Sequence, residues 1–269
     1  LKLSKEEAAA ITELVCEQMD IASLKGIEHM PNLAVLDVSY NKIPDALAVE
    51  GYGKLTRLDC DHNPLTSLSV KGCKALRELK ANDCFYQDEY GKAIYTLAAI
   101  DLTGCGALET LNIEDNSIAV LDLHDCVSLR EIRCAYNDLT TIDFSSCTKM
   151  TAITCRNNPL HGLTLDVSMC PDLLYLACWE AGLAGVDVSG CPKLQELLVY
   201  YNDLNSIDIS ACPALTRVDL HGTKISALDL GNCSKLSWID LEFNTIDRLD
   251  FSACTELREA VSYTHLRAH

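Results

Sequence analysis

One pattern, approximately LxxLxCxxNxLxxLDVSxCxx, recurs ten times in the sequence from Leu33 onward. Most copies begin 21 residues after the previous one. A fixed period of this length is typical of a chain that repeats one small structural unit, which cannot bury its apolar side chains alone and is stabilised by stacking on its neighbours. The copies begin at Leu33, Leu55, Leu76, Leu108, Leu129, Met150, Leu173, Leu194, Leu215 and Leu236.

Each copy, numbered from its first apolar residue, has apolar residues at positions four and six and mostly polar residues at three, five and seven. This alternation is that of a strand with one buried face. The return leg carries further apolar residues, such as Ile142 and Phe144, beside a short turn. We therefore predict a leucine-rich repeat solenoid of the right-handed β-α superhelix class, mostly β, with a parallel concave sheet and short turns on the convex side.

Position nine is Asn in most copies, and a buried amide there can satisfy backbone groups of the turn. These residues are Asn41, Asn63, Asn116, Asn137, Asn158, Asn202 and Asn244.

The two ends of the array need covers. Ser4 with Glu7 forms a capping-box signature ahead of apolar residues at helical spacing, which predicts an N-terminal cap helix from residue 4 to about 17. We assign residues 1–32 to this cap and a half-repeat, 33–256 to ten repeats with an insertion at about 85–96, and 257–269 to a broken eleventh repeat with a tail. The tail, Val261 to His269, matches no repeat, and we interpret it as non-native, with a frayed natural terminus as the alternative.

The stretches LAVLDVSYNKI, from Leu33 to Ile43, and LTRLDCDHNPLTSL, from Leu55 to Leu68, resemble bacterial internalin-like secreted leucine-rich repeat proteins. The resemblance covers nearly the whole chain. It implies adhesion or partner binding without one shared ligand, and export to the cell surface or the extracellular space. The first residues of this chain show no secretion signal.

The charge balance narrows the class of partner. A net charge of -17 argues against nucleic acid and anionic membranes, which such a surface would repel. No apolar run approaches the roughly 20 residues needed to cross a bilayer, so we expect no membrane insertion of this segment. The histidines are scattered and no catalytic motif is present. We expect a non-catalytic protein without a cofactor, whose partner is a protein on a host or bacterial surface or, alternatively, a glycan.

Most of the fifteen cysteines follow the repeat. We interpret them as small apolar packing residues, with disulfides as the alternative. No CxxC motif supports a zinc cluster, and we expect no metal site. Cys16 and Cys84 lie outside both registers. The return-leg register holds Cys73, Cys105, Cys126, Cys147, Cys170, Cys191, Cys212, Cys233 and Cys254, and the position-six register holds Cys60, Cys134, Cys155 and Cys178.

Aspartates form a second return-leg row on the convex side, and they either cap turns, lie in solvent or bind calcium. The row comprises Asp101, Asp122, Asp143, Asp166, Asp187, Asp208, Asp229 and Asp250.

Positions three, five, seven and eight are expected to face outward on the concave sheet. Early repeats place mostly charged residues there, including Arg57, Asp59, Asp61, Glu78 and Lys80. Later repeats place aromatic residues there, and exposed aromatic residues in register are typical of binding hot spots. The candidate partner-binding residues are Tyr136, Tyr175, Trp179, Tyr200, Tyr201, His221, Trp238 and Phe243. The alternative for any one of them is that its ring packs against a loop. In the glycan alternative, Trp179, Tyr200 and Trp238 would stack on sugar rings.

The insertion between Cys84 and Leu97 is a second candidate, because insertions in repeat proteins often serve binding. The alternative is a surface loop whose aromatic residues fold back onto the sheet. Its aromatic residues are Phe85, Tyr86, Tyr90 and Tyr95.

Overall fold

The computed structural model describes residues 4–261. It divides into two compact units: the first contains Leu1–Leu129 and Arg133–Asp138, and the second contains Arg130–Ile132 and Leu139–His269. Both have the leucine-rich repeat solenoid architecture, so the predicted fold class is confirmed. Among the described residues, no helix is both long enough and apolar enough to span a membrane.

The first unit contains one short helix, α1, Lys5–Ala10, and a 3₁₀ turn, Ile27–His29. Its main parallel sheet runs in the order β1-β2-β4-β6-β10, a return-side parallel sheet has the order β3-β5-β9, and β7 and β8 form an antiparallel pair. The strands are β1 Glu13–Val15, β2 Val35–Asp37, β3 Asp45–Ala48, β4 Arg57–Asp59, β5 Leu65–Ser69, β6 Glu78–Lys80, β7 Phe85–Gln87, β8 Ala93–Tyr95, β9 Ala99–Asp101 and β10 Thr110–Asn112.

The second unit has a main parallel sheet in the order β12-β14-β16-β17-β18-β19, and a return-side parallel pair formed by β13 and β15. Strand β11, Glu131–Arg133, has its residues divided between the two units. The remaining strands are β12 Ala152–Thr154, β13 Thr164–Asp166, β14 Tyr175–Ala177, β15 Gly185–Asp187, β16 Glu196–Leu198, β17 Arg217–Asp219, β18 Trp238–Asp240 and β19 Glu259–Val261.

Strand register places equal repeat positions side by side. In the first unit Leu36 pairs with Leu58, and Leu58 pairs with Leu79. All three leucines are completely buried. Positions three, five and seven of the same strands point to the opposite side, which we call the sheet face of each unit. The hydrophobic core therefore lies between the main sheet and the return legs.

The N-terminal helix is shorter than predicted. The capping box is present, because the Ser4 hydroxyl accepts from the Glu7 amide and the Glu7 carboxylate accepts from the Ser4 amide. The helix nevertheless ends at Ala10, and Glu13–Val15 pairs with Val35–Asp37 as β1. The prediction of a helix to about residue 17 is therefore wrong. Ile11, Leu14 and Cys16 match LxxLxC, so these residues form a further turn that extends the sheet.

The broken eleventh repeat still contributes a strand. Glu259 pairs with Trp238, and Val261 pairs with Asp240. The predicted start of the tail at Val261 therefore falls on a strand residue. The rest of the tail prediction, residues 262–269, lies outside the described residues.

The position-nine asparagines satisfy the backbone as predicted. Asn137 is typical: its amide nitrogen donates to the carbonyl groups of Ile113 in the previous turn and Cys134 in its own turn, while its oxygen accepts from the Ile118 amide. Asn137 is 6% exposed, so these hydrogen bonds replace water that cannot reach the turn. Each such amide therefore joins two consecutive turns.

All fifteen cysteines are free thiols, and all but Cys16 are buried. Return-leg thiols lie against backbone carbonyl groups of the preceding turn, for example Cys73 Sγ at 3.0 Å from the Val49 oxygen and Cys191 Sγ at 3.2 Å from the Val167 oxygen. The structure gives Cys16 and Cys84, which lie outside both predicted registers, defined positions in the repeat. Cys16 occupies position six of the additional first turn, and Cys84 replaces the position-nine asparagine, where its amide donates to Asn116.

The aspartate row caps turns, as one of the predicted alternatives proposed. In each of the eight, Oδ1 accepts from the backbone amide two residues later, at 2.8 to 2.9 Å. Hydrogen bonds from Ser189 hold the pKa of Asp187 below its ordinary value, and those from Ser210 do the same for Asp208. These hydrogen bonds stabilise the charged forms of Asp187 and Asp208 and explain the repeated aspartate as a turn cap.

Candidate functional site

Position eight of every complete repeat adopts the left-handed backbone region, with φ between 52° and 63°. This conformation is unfavourable for residues other than glycine, yet only Gly222 among the ten is a glycine. The position-eight amide compensates by donating to the position-seven carbonyl of the next turn, as from Tyr201 to His221 at 2.8 Å and from Glu180 to Tyr200 at 3.1 Å. The turn redirects the chain, so side chains at positions seven and eight both lie at the edge of the sheet face.

Five of the eight predicted partner-binding residues form a continuous cluster in the second unit, which we call the aromatic surface. It consists of Trp179, Tyr200, Tyr201, His221 and Phe243.

Trp179 and Tyr200 are stacked, with ring centroids 5.0 Å apart and planes 13° from parallel. His221 then meets Tyr201 edge to face at 4.7 Å and Phe243 at 5.0 Å. Phe243 is 68% exposed and Tyr201 is 52% exposed, whereas Trp179, Tyr200 and His221 are half-buried. The surface thus has a packed base with exposed aromatic edges.

Two arginines lie over the tryptophans. The Arg156 guanidinium is 4.9 Å from the Trp179 ring centre, and the Arg217 guanidinium is 4.6 Å from that of Trp238. Arg156 and Tyr200 belong to the repeats on either side of Trp179, so the two faces of its indole ring are both covered. Such cation–π contacts hold the aromatic side chains in place.

The other three predicted residues occupy position three or position eight of their repeats. Trp238 begins β18 on the sheet face, where it pairs with Arg217. Tyr175 begins β14, pairs with Glu196 and is half-buried. Tyr136, at a left-handed position eight, belongs to the first unit and is 44% exposed.

His221 is surrounded by polar groups. Its Nε2 lies 2.9 Å from the Tyr201 hydroxyl, and its Nδ1 lies 3.5 Å from Glu242 Oε2 and 3.8 Å from Asp240 Oδ2. Asp219, on the neighbouring strand, has a pKa above its ordinary value, first because burial disfavours the charged form and then because Asp240 adds a second negative charge. The sequence signal for this group is the presence of two acidic residues, Asp240 and Glu242, at positions five and seven of one repeat. These two residues are not among the candidates predicted from the sequence.

The insertion forms a hairpin in the first unit. Strands β7 and β8 are antiparallel, and the turn is held by Asp88, whose Oδ1 accepts from the Tyr90 and Lys92 amides at 2.9 Å. Phe85 packs at 5.8 Å from the Tyr95 ring and at 6.4 Å from His62, which stacks on Tyr40.

The four insertion aromatics therefore divide. Phe85 is half-buried and folds back onto the repeats, Tyr95 is 38% exposed, and Tyr86 and Tyr90 are 50% and 86% exposed. Neither Tyr40 nor His62 had been assigned to this cluster from sequence.

A charged network occupies the sheet face of the first unit. Asp59, which is 6% exposed, lies 3.4 Å from Arg57 and 3.6 Å from Lys80, and Lys80 lies 3.3 Å from Glu78. Burial, together with the charge of Asp59, raises the pKa of Asp61 to about 7. The predicted charged stretch is thus an internally paired network with one carboxyl group that titrates near neutrality.

Comparisons with known proteins add the following. No protein-family model matches the sequence, and no curated protein matches it. Among solved structures, the functional domain of InlJ from Listeria monocytogenes, which includes a cysteine ladder, is similar to this chain, with 25% identity and a TM-score of 0.68. The match covers 95% of this chain and 59% of that domain, so the chain spans about three-fifths of its length.

Two further structures share the fold. The leucine-rich effector YopM from Yersinia pestis matches with 22% identity and a TM-score of 0.67, covering 87% of this chain and 61% of that one. The internalin InlF from Listeria monocytogenes matches with 21% identity and a TM-score of 0.53, covering 97% and 88%. Leucine-rich repeat domains of this group are in general non-catalytic protein-interaction domains. The chain has the fold of these leucine-rich repeat proteins.

Proposed function

We propose that this protein recognises another protein through the aromatic surface, and that it does so outside a bacterial cell, as a surface or secreted adhesion module. One observation carries the proposal: Phe243 and Tyr201 are exposed on a packed base of Trp179, Tyr200 and His221. Exposed aromatic residues whose positions are fixed before binding contribute affinity at little entropic cost.

The ring packing favours a protein partner over a glycan. Sugar rings stack on open aromatic faces, whereas Arg156 and Tyr200 cover the faces of Trp179. The exposed edges of Tyr201 and Phe243 suit insertion between side chains of a protein partner. The extracellular location is supported by the internalin structures among the similar folds.

The test is capture of ligands from host-cell and bacterial surface extracts on the immobilised protein. We expect Tyr201→Ala with Phe243→Ala to lower the affinity for the captured partner at least about tenfold, the equivalent of 1.4 kcal/mol. Met169→Ala removes a side chain that is 54% exposed in the same unit and is the matched control.

Treatment of the extract separates the two partner classes. Digestion with protease should abolish capture, and enzymatic removal of glycans should leave it unchanged. Equal capture by the double variant and the control would exclude the aromatic surface as the binding site. Capture that survives protease but is lost after glycan removal would show that the partner is a glycan.

A further inference from the structure

His221, Asp240 and Glu242 form a compact group of metal-ligating side chains on the sheet face of the second unit. One imidazole nitrogen and one oxygen from each carboxylate lie within 4.8 Å of one another. The side chains are only 14% to 17% exposed. Asp240 ends strand β18, while His221 and Glu242 occupy position seven of adjacent repeats, so the strand register sets the spacing of the group.

The histidine is oriented for this role. Its Nε2 is 2.9 Å from the Tyr201 hydroxyl, and the rings of Tyr201 and Phe243 flank the imidazole edge to face. A hydrogen bond from one ring nitrogen to an outer partner is the usual arrangement of a metal-binding histidine, because it fixes the tautomer and the ring plane. With the proton on Nε2, Nδ1 would present its lone pair to an ion held beside the two carboxylates.

The charges of the group are unbalanced. Asp219 lies beside Asp240 in the paired strand, so three carboxylates, of Asp219, Asp240 and Glu242, lie close to one imidazole. A protonated His221 supplies only one positive charge against these three carboxylates. Arg217, on the same strand as Asp219 and stacked over Trp238, adds a second positive charge, so the three carboxylates still outnumber the cationic groups when His221 is protonated. A divalent cation would neutralise two carboxylates that the protein holds partly away from water.

We propose that His221 Nδ1, Asp240 Oδ2 and Glu242 Oε2 bind a zinc-class divalent ion. Zinc bonds of about 2.0 to 2.2 Å place neighbouring ligand atoms roughly 3.4 Å apart in a tetrahedral site. The distances from Nδ1, 3.5 and 3.8 Å, need a contraction of only a few tenths of an ångström, and the two carboxylate oxygens, which lie within 4.8 Å of each other, would also have to move closer together. An imidazole beside two carboxylates suits zinc and its neighbours better than calcium or magnesium, which prefer oxygen ligands alone. This site goes beyond the proposed function and does not require it.

The experiment is titration of the whole reduced chain with Co²⁺, followed by displacement with Zn²⁺. Cobalt distinguishes the ligands, because thiolates give an intense near-ultraviolet charge-transfer band and nitrogen and oxygen ligands give only weak visible bands. We expect one ion per chain without the thiolate band. Glu242→Gln, which keeps the shape of the side chain, and His221→Gln should each weaken binding at least about tenfold.

His161→Gln is the matched control, because His161 is exposed in the same unit and outside the group. The expected result is unchanged binding by this variant. Absence of cobalt binding, a thiolate band, or equal affinities of Glu242→Gln and His161→Gln would each overturn the proposal. Ligand capture is repeated in the presence of a chelator, which shows whether partner binding depends on the metal ion. Failure of the metal proposal can then be distinguished from failure of the proposed function.

Discussion

At the scale of the residue, buried polar groups decide how the turns close. A position-nine asparagine donates to two turns and accepts from one of them, and a left-handed position eight is held by a bond to the next turn. These side chains contribute through the backbone groups that they satisfy, because a buried group left without a partner costs about 1 to 3 kcal/mol. Asp61 is the opposite case, a partly buried carboxyl group beside another acid.

Asn202→Ala tests the asparagine contribution. The Asn202 oxygen accepts from the Ala181 and Leu183 amides, and its nitrogen donates to the Cys178 and Val199 carbonyls. Loss of these bonds at a site 3% exposed should lower the free energy of unfolding by about 2 to 4 kcal/mol. Urea unfolding measures this, with the exposed Asn205→Ala as control, and similar effects of the two substitutions would contradict the interpretation.

Asp61→Asn tests the buried carboxyl group. Its folded pKa of about 7 lies above the ordinary value of 3.8, so its contribution to stability is full below pH 4 and is lost as the pH rises through 7. The asparagine variant should therefore be more stable than the parent at pH 8, by up to about 4 kcal/mol, and the difference should fall towards zero near pH 4.

Thermal unfolding across this pH range checks the Asp61 prediction. Asp45→Asn, an exposed aspartate of the same unit, corrects for the change in net charge. A difference that grows as the pH falls would show that Asp61 is instead stabilised in its charged form.

At the scale of the element, the hairpin of β7 and β8 combines two roles. Phe85 and Tyr95 attach it to the stacked pair His62 and Tyr40, whereas its turn, held by Asp88, projects Tyr90 into solvent. The inner side therefore belongs to the packing of the first unit, and the tip is available for contacts.

Phe85→Ala and Tyr90→Ala separate these two roles. Phe85→Ala should lower the free energy of unfolding by about 1 to 2 kcal/mol because it removes the ring contacts, while Tyr90→Ala should change it by less than about 0.5 kcal/mol. Chemical unfolding of both variants provides the measurement. An equal loss in both would mean that the tip also packs against the repeats.

At the scale of the whole molecule, the buried cysteines contribute to the packing between successive turns of each unit. Burial raises the pKa of Cys147 to about 11 and that of Cys191 to about 12, so these two thiols are not ionised at neutral pH. Their small apolar volume lets the return legs pack closely without chemistry of their own.

Thiol titration tests the state of the cysteines. In the native protein one thiol, Cys16, should react rapidly, because the other fourteen are buried. All fifteen should react after unfolding without a reducing agent. Cys16→Ser should remove the rapid phase. Substantially fewer than fifteen reactive thiols in denaturant would indicate disulfides and contradict the packing interpretation.

The spacing of leucines, asparagines and cysteines is enough to predict the class of fold, because it forces the same residues inward in each turn, as Leu36, Leu58 and Leu79 show. The sequence also contains one more turn than predicted, because Ile11, Leu14 and Cys16 match the repeat pattern. The capping box of Ser4 and Glu7 favoured a helix there instead. Local spacing is sufficient here because burial in a solenoid depends mainly on position within the repeat.

Which side chains contact one another depends on how the turns stack. Trp179 stacks on Tyr200, and His221 lies beside Asp240 and Glu242, because parallel register brings together residues about 20 positions apart and the left-handed turn at position eight redirects those at the sheet edge. Period and composition carry no information about ring planes, hydrogen-bond directions or the burial of a carboxylate. Those depend on distances between neighbouring turns, which exist only once the turns have stacked.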